Sequence, residues 1–288
     1  MYARTVTWPK GERIALSIVV NVEEGSERSI VRGDNGMEAV DELGMFVKDP
    51  IRNYANESNY QFGINVGGPR VLAMLQRHGM ASTWTVCGQA LEAAPDLARA
   101  ITAAGHEACS HGYRWRFQHK MDEAQERAFI RQSADSIEAT TGQRPKGWLS
   151  RYFSTDNTRR LLAEEGFAYH MDDFSDEAPF WDAPGGQPIV VVPYQLDTND
   201  MKMWPHPGYT ARDWLDYAVD SFDLLHAEGA ATPRLMSLGV HLRIIGRPGR
   251  AAAFERFLQH VGSKDGVWIA TRLAIAEHFA RSQPYTAA

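Results

Sequence analysis

The sequence predicts one α/β domain of the barrel-like kind, with strands and helices alternating along all 288 residues and the chemistry gathered at one end. Three observations carry that expectation. Short apolar, β-branched runs recur, sized for strands buried on both faces of a parallel sheet. Helix-sized segments separate them, some with a Pro at the start and a Gly at the stop. No linker, internal repeat or low-complexity tract divides the chain, so residues 1–288 are read as a single domain although the length leaves room for two.

The elements follow in order. Ile14–Val20 reads as the first strand and runs into the polar cluster Asn21, Val22, Glu23, Glu24, Gly25. Residues 26–65 read as a long polar excursion broken by Gly33, Asp34, Asn35, Gly36 and Pro50; a connection of that length is usually functional or an edge structure. A helix is expected over Pro69–Arg77, closed by His78 and Gly79, then a strand over Ala81–Val86, a helix over Pro95–Ala104 and a strand over His106–Ser110. Next come a helix over Met121–Thr140, a strand at Gly147–Leu149, a helix over Asn157–Glu165 and a strand over Phe167–Met171. Ile189–Val192, Leu235–Val240 and Val267–Ala270 supply further strands, separated by helices over Ala211–Glu228 and Pro248–Val261. Gly67, Gly68, Gly246 and Gly249 fit neither the dinucleotide nor the Walker pattern and read as turn or helix-start glycines.

Composition excludes several classes. Thirty Lys plus Arg against 36 Asp plus Glu give a net charge of −6, which argues against a nucleic-acid partner. Cys87 and Cys109 are too few for a disulfide framework or a zinc cluster and are expected to be reduced. Met1–Gly11 lacks the apolar core of a signal peptide, and no apolar stretch approaches 20 residues. A soluble, cytoplasmic protein without a membrane partner is the expectation.

The polar clusters that could carry chemistry each stand just after a strand, so a barrel would gather them at one mouth. Glu23 and Glu24 end the first strand, and neighbours at a strand end can point different ways, one toward substrate and one toward an orienting group. Paired carboxylates suit a general base and its partner, because crowding of like charge lifts one pKa toward neutrality; two solvated loop glutamates are the plainer reading. His111 follows the strand at His106–Ser110 and suits a base, an acid, a metal ligand or a cap. His241 ends Leu235–Val240 and suits a general acid facing the mouth, or a structural histidine. Arg151 offers a guanidinium for an anionic or carbonyl oxygen, or pairs with a rim acid. Asn199 and Asp200 offer amide and carboxylate groups suited to a urea-like ligand, or form an Asx-type turn.

Taken in order, Asn21 to Gly25, Ser110 to Trp115, Asn157 to Arg160, Leu196 to Asp200 and Gly246 to Arg250 resemble the polysaccharide deacetylase superfamily, and within it the metal-independent allantoinase-like branch. The resemblance spans nearly the whole chain and implies a distorted (β/α) barrel of about seven strands. In the metal-dependent members an Asp pair and two His four residues apart supply the base and the metal ligands. Those places here are Glu23, Glu24, His111 and Trp115, and an indole cannot ligate a divalent ion. The family's arginine before its Pro-Pro-Tyr turn is replaced by Leu149, with Arg151 nearby.

The resemblance implies a hydrolase of carbon–nitrogen bonds in purine catabolism, opening a cyclic amide or ureide such as allantoin with no cofactor. Glu23 is expected to activate water and His241 to protonate the leaving nitrogen, with Glu24 and His111 orienting the nucleophile. Trp115, Arg151, Asn199 and Asp200 are expected to bind the substrate. Two alternatives stand beside it. One is a metal-dependent N-deacetylase of acetylated sugars with Glu24 and His111 as ligands; the other is a non-catalytic barrel that binds a ureide or sugar. The family also implies a homo-oligomer, a tetramer; the aromatic stretches Tyr54–Phe62 and Phe180–Trp181 suit interface anchors, or ordinary pocket rim and core packing.

Overall fold

Nine consecutive buried residues, Ile14–Val22, make the first strand, β1. Their side chains divide by parity, as a strand's must. Ile14, Leu16, Ile18, Val20 and Val22 pack into one hydrophobic core with the helices outside, whereas Ala15 and Val19 join a second core inside the sheet. The inner series continues through Ser17 and Asn21 to Glu23, small and polar where the outer series is large and apolar. Glu23 and Glu24 therefore inherit opposite faces.

The computed structural model describes residues 5–38, 49–204 and 208–287. The remaining strands are β2 (Thr83–Val86), β3 (Glu107–Ser110), β4 (Gly147–Trp148), β5 (Tyr169–His170), β6 (Phe180–Asp182), β7 (Ile189–Val191), β8 (Arg234–His241) and β9 (Val267–Ile269). Their lateral order is β6-β7-β5-β4-β3-β2-β1-β8, with β9 also on β1. Every pairing is parallel except that of β6 with β7. A strand has only two edges, and β8 takes one of β1's from Ile14 to Asn21. Hence β9, beside Ile14–Leu16, shares the other edge with β2, beside Val19–Val22. The result is a curled, incomplete barrel whose parallel strands all end at one mouth. The eight parallel strands match the expected distorted barrel; the antiparallel β6, three half-buried residues, carried no alternation strong enough to be read.

Helices α1 (Tyr54–Phe62), α2 (Gly68–Arg77), α3 (Gly88–Ala93), α4 (Pro95–Ala103), α5 (Glu123–Thr141), α6 (Thr158–Glu164), α7 (Ala211–Glu228), α8 (Leu242–Ile245), α9 (Pro248–Gly262) and α10 (Arg272–Ser282) cover the outside. Capping boxes start α5 at Asp122 and α7 at Thr210. Among the described residues no helix is long and apolar enough to cross a membrane.

The polar excursion expected over 26–65 needs correction at its end. Asn53 accepts the amide N–H of Asn56 and starts α1, which continues without interruption through a π-turn at Gly63–Gly67 into α2. Tertiary contact explains why a glycine-rich, polar segment is helical. A Cβ on Gly63 would lie 2.5 Å from the Glu24 carboxylate, and one on Gly67 would overlap the Leu242 carbonyl. Gly246 in turn approaches Gly67 backbone to backbone. These glycines are close-approach positions rather than helix starts, and they seat the π-turn directly on the end of β1. Residues 39–48, the middle of the excursion, lie outside the described residues.

The aromatic anchors expected for a contact between copies also divide. Tyr54 is exposed, but Tyr60 is buried and packs edge-on to Trp115 at 5.9 Å. Trp181 packs on Phe279 and Tyr285 of its own chain.

Candidate active site

Glu23 is the hub of the mouth, 1 % exposed and surrounded by two guanidiniums and two imidazoles. Its Oε1 lies 2.7 Å from Arg151 Nε and 3.3 Å from His111 Nε2. Its Oε2 accepts from Arg243 at 2.9 Å and lies 3.8 Å from His241 Nε2. Burial alone would raise such a carboxyl, yet the charges of Arg151, His241 and Arg243 and the bond from His111 together hold it well below the usual carboxylate range. That field argues against the expected role of water-activating base. A carboxylate that gives up its proton so readily takes one back poorly, since an efficient base has a pKa near the working pH.

The two histidines are held from behind. The His241 backbone N–H and Nδ1 donate to the two oxygens of Asp200, at 2.8 and 2.7 Å. Asp200 is fully buried, so Nδ1 carries the hydrogen and Nε2 is turned to the mouth. His111 Nδ1 bonds the Leu149 carbonyl at 2.7 Å; a carbonyl only accepts, so here too Nε2 faces Glu23. Strand parity delivers both rings, because Glu107, Cys109 and His111 share the inner face of β3's line as Ser237, Gly239 and His241 share that of β8.

Glu24 goes the other way. Its oxygens accept the backbone N–H groups of Glu23 and Arg243, both at 3.0 Å, and Gly63 closes over it. Burial pushes its carboxyl up to about 7 against the partial opposition of Arg243. Both Glu24 oxygens are taken by main-chain N–H groups, which argues against its expected roles beside His111, orienting a nucleophile or ligating a metal. Glu24 instead fastens the end of β1 to the start of α8.

The remaining expected residues fall into two groups. Trp115 and Arg151 are at the mouth: the Arg151 guanidinium lies 4.0 Å from the Trp115 ring centroid, and the indole Nε1 is buried without a hydrogen-bond partner. Asn199 and Asp200 are not free to read a ligand. Asn199 donates to the Tyr194 hydroxyl at 2.9 Å and accepts from Met201 N–H at 2.8 Å, which is the Asx-turn alternative, and Asp200 is spent on His241. Sequence reasoning did not assign Arg243, which stands 3 % exposed with its guanidinium 4.8 Å from Tyr60 and 5.8 Å from Trp115. Its position two residues past His241 was the available signal. Asp172, just past β5, was also missed. It accepts from Ser150 N–H at 2.7 Å, its Oδ2 is buried without a partner, and burial raises its pKa.

Among the described residues no three His, Cys, Asp or Glu side chains converge as a metal site. What converges is one ionised carboxylate, two imidazoles, one of them backed by an aspartate, and two guanidiniums at the strand ends of a parallel barrel. That set can move protons and stabilise a developing oxyanion.

A fold and site of this kind define a hydrolase, and the chain belongs to the polysaccharide deacetylase family. Residues 60–170 match the family model described as polysaccharide deacetylase. Over 98 % of its length the chain is 35 % identical to a Schizosaccharomyces pombe protein named "Putative polysaccharide deacetylase", covering 95 % of it. In solved structures it is similar to a PuuE allantoinase, at 42 % identity and TM-score 0.91 with 97 % of this chain and 94 % of that one covered. It is equally similar to a "probable Polysaccharide deacetylase" from Pseudomonas aeruginosa PAO1, at 41 % identity and TM-score 0.91 with 97 % and 95 % covered.

Proposed function

We propose that the chain hydrolyses a carbon–nitrogen bond in a cyclic amide or ureide, allantoin being the favoured substrate, and does so without a metal ion. The observation that carries this is the setting of Glu23 between two guanidiniums, with Trp115 stacked beneath one of them. A divalent ion would have to displace Arg243 or Arg151 from that carboxylate, and Trp115 presents an N–H donor where a ligand needs a lone pair. The residues present do not fit such an ion. The 42 % identity to a PuuE allantoinase supports the substrate class.

In this reading water attacks the ring carbonyl carbon as its proton passes to His241 Nε2, while Asp200 holds Nδ1–H and stabilises the imidazolium. The oxyanion that forms is stabilised by the guanidiniums of Arg151 and Arg243. The C–N bond then breaks, His241 returns the proton to the leaving nitrogen, and the new carboxylic acid ionises. Glu23 stays charged throughout, holding both guanidiniums and drawing the imidazolium toward it.

The test is a panel of allantoin, hydantoin and acetylated glucosamine oligomers, with products read by mass. Ring-opened acid from the cyclic amides, lost in Glu23→Gln, is the expected result. Acetate release without ring opening would instead support the N-deacetylase that the names of two relatives favour, and binding without any product would support a non-catalytic barrel.

A further inference from the structure

Beside the mouth lies a cavity of about 800 Å³ that the mechanism does not use. It shares a wall with the site: Trp115 and Tyr152 line it, and the Arg151 guanidinium that touches Glu23 sits 4.0 and 4.9 Å from those two rings. Arg151 therefore links Glu23 to two rings of this vestibule's wall. The lining is aromatic and basic. Tyr152 stacks on Phe117 at 4.3 Å, and among the described residues Arg28, Arg114, Arg116 and Lys120 line the cavity with two acids, Asp34 and Glu38. Of these, Asp34 is already held by Arg114 at 2.6 Å, while Arg116 and Lys120 are exposed, Lys120 lying over the Phe117 ring at 4.8 Å. This positive wall stands on a chain of net charge −6.

We propose that the vestibule is an anion site that draws off the ring-opened ureido-carboxylate product, an inference that rests on the cyclic-amide reading above. Opening a neutral cyclic amide adds water and yields a carboxylate, so the product differs from the substrate by one negative charge. A basic wall therefore discriminates between them, while the stacked rings accept the planar urea group that both retain. The chemistry selects the product for the vestibule and leaves the neutral ring to the mouth.

Calorimetry on the purified protein tests this with N-carbamoylglycine, the ring-opened form of hydantoin, alongside hydantoin itself and inorganic phosphate. The double variant R116A/K120A, altered only at exposed side chains, is compared with the parent chain. Its affinity for carbamoylglycine is expected to fall about tenfold or more, and binding to the parent chain to weaken as salt rises. Hydantoin affinity and kcat/KM on cyclic amides should stay within about twofold. Unchanged carbamoylglycine affinity overturns the proposal, as does equal loss for hydantoin or phosphate binding as tight as the carboxylate's. Failure of the cyclic-amide reading is separately visible: carbamoylglycine binding that depends on Arg116 and Lys120, in a protein that opens no ring, would leave an anion site whose ligand is not a product.

Discussion

Two buried ionic clusters occupy the inside of this barrel, and the difference between them separates chemistry from architecture. The lower one joins Glu107, at the start of β3, to Thr83, Tyr169 and Leu273 N–H by three hydrogen bonds of 2.7 to 3.0 Å. Arg272 lies near it, giving its guanidinium to the Val192 and Pro193 carbonyls at 2.6 and 3.0 Å and to the Ser237 hydroxyl. Both glutamate oxygens are spent on neutral donors, and burial raises the carboxyl's pKa. The upper cluster has one carboxylate facing two guanidiniums and two imidazoles, and both Nε2 atoms point at the mouth. Both glutamates are buried, although Arg151 of the upper cluster is partly exposed and Arg272 of the lower one is not. What differs is that the lower cluster is bonded to main-chain and hydroxyl groups of the barrel, while the upper holds imidazoles and guanidiniums that face the mouth.

Substitutions should separate the clusters in kind as well as size. His241→Ala is expected to lower kcat of the folded fraction about a thousandfold, the range of a lost general acid–base, besides destabilising the fold, since the buried Asp200 then keeps only a backbone N–H; a folded fraction with kcat close to the parent's would reverse the assignment. Arg272→Met should act on stability alone, costing about 3–5 kcal/mol in denaturant unfolding because it leaves buried carbonyls without donors, with kcat of the folded fraction intact.

Glu23 and Glu24 sharpen the comparison within two residues. Glu24, raised to about 7 from an ordinary 4.5, binds its proton more tightly folded than unfolded. Its contribution is complete below pH 4.5, fades as pH rises toward 7 and is lost above it, roughly 3 kcal/mol across the window. Glu23, held below its ordinary range, contributes above pH 4.5 and is lost on acidification. Glu24→Gln should therefore flatten the fall in stability between pH 4.5 and 7 measured by urea titration, and an unaltered slope would exclude Glu24 as its source. The smallest effect belongs to Trp115→His, which removes a cation–π contact worth about 1 kcal/mol and should lower turnover of a cyclic amide about fivefold.

Much of this was legible in the sequence, for reasons that the strands make plain. Long buried strands such as β1 and β8 carry enough apolar β-branched residues to be read, and their parity sends Glu23 and His241 inward. Asp200 and Asn199 were found as a polar cluster, and the Asx turn of Asn199 was one of the readings, but the hold of Asp200 on His241 was not, because adjacent side chains in a turn point inward or outward by tertiary packing alone. Asp200 lies 41 residues from the imidazole it holds, and no local pattern encodes that pairing. The helix from Tyr54 was missed for a similar reason: its π-turn is stabilised by contact with Glu24 and Leu242, against the local preference of Gly63, Gly67 and Gly68.

Arg151 and Arg243 stand around Glu23, and the proposed ring opening relies on these guanidiniums in place of a metal ion. That reliance is tested by allantoin turnover in protein dialysed exhaustively against a strong chelator, with bound metal counted in the same sample. Turnover should be undiminished at metal contents far below one ion per chain. Activity that disappears on chelation and returns in proportion to added zinc would contradict it.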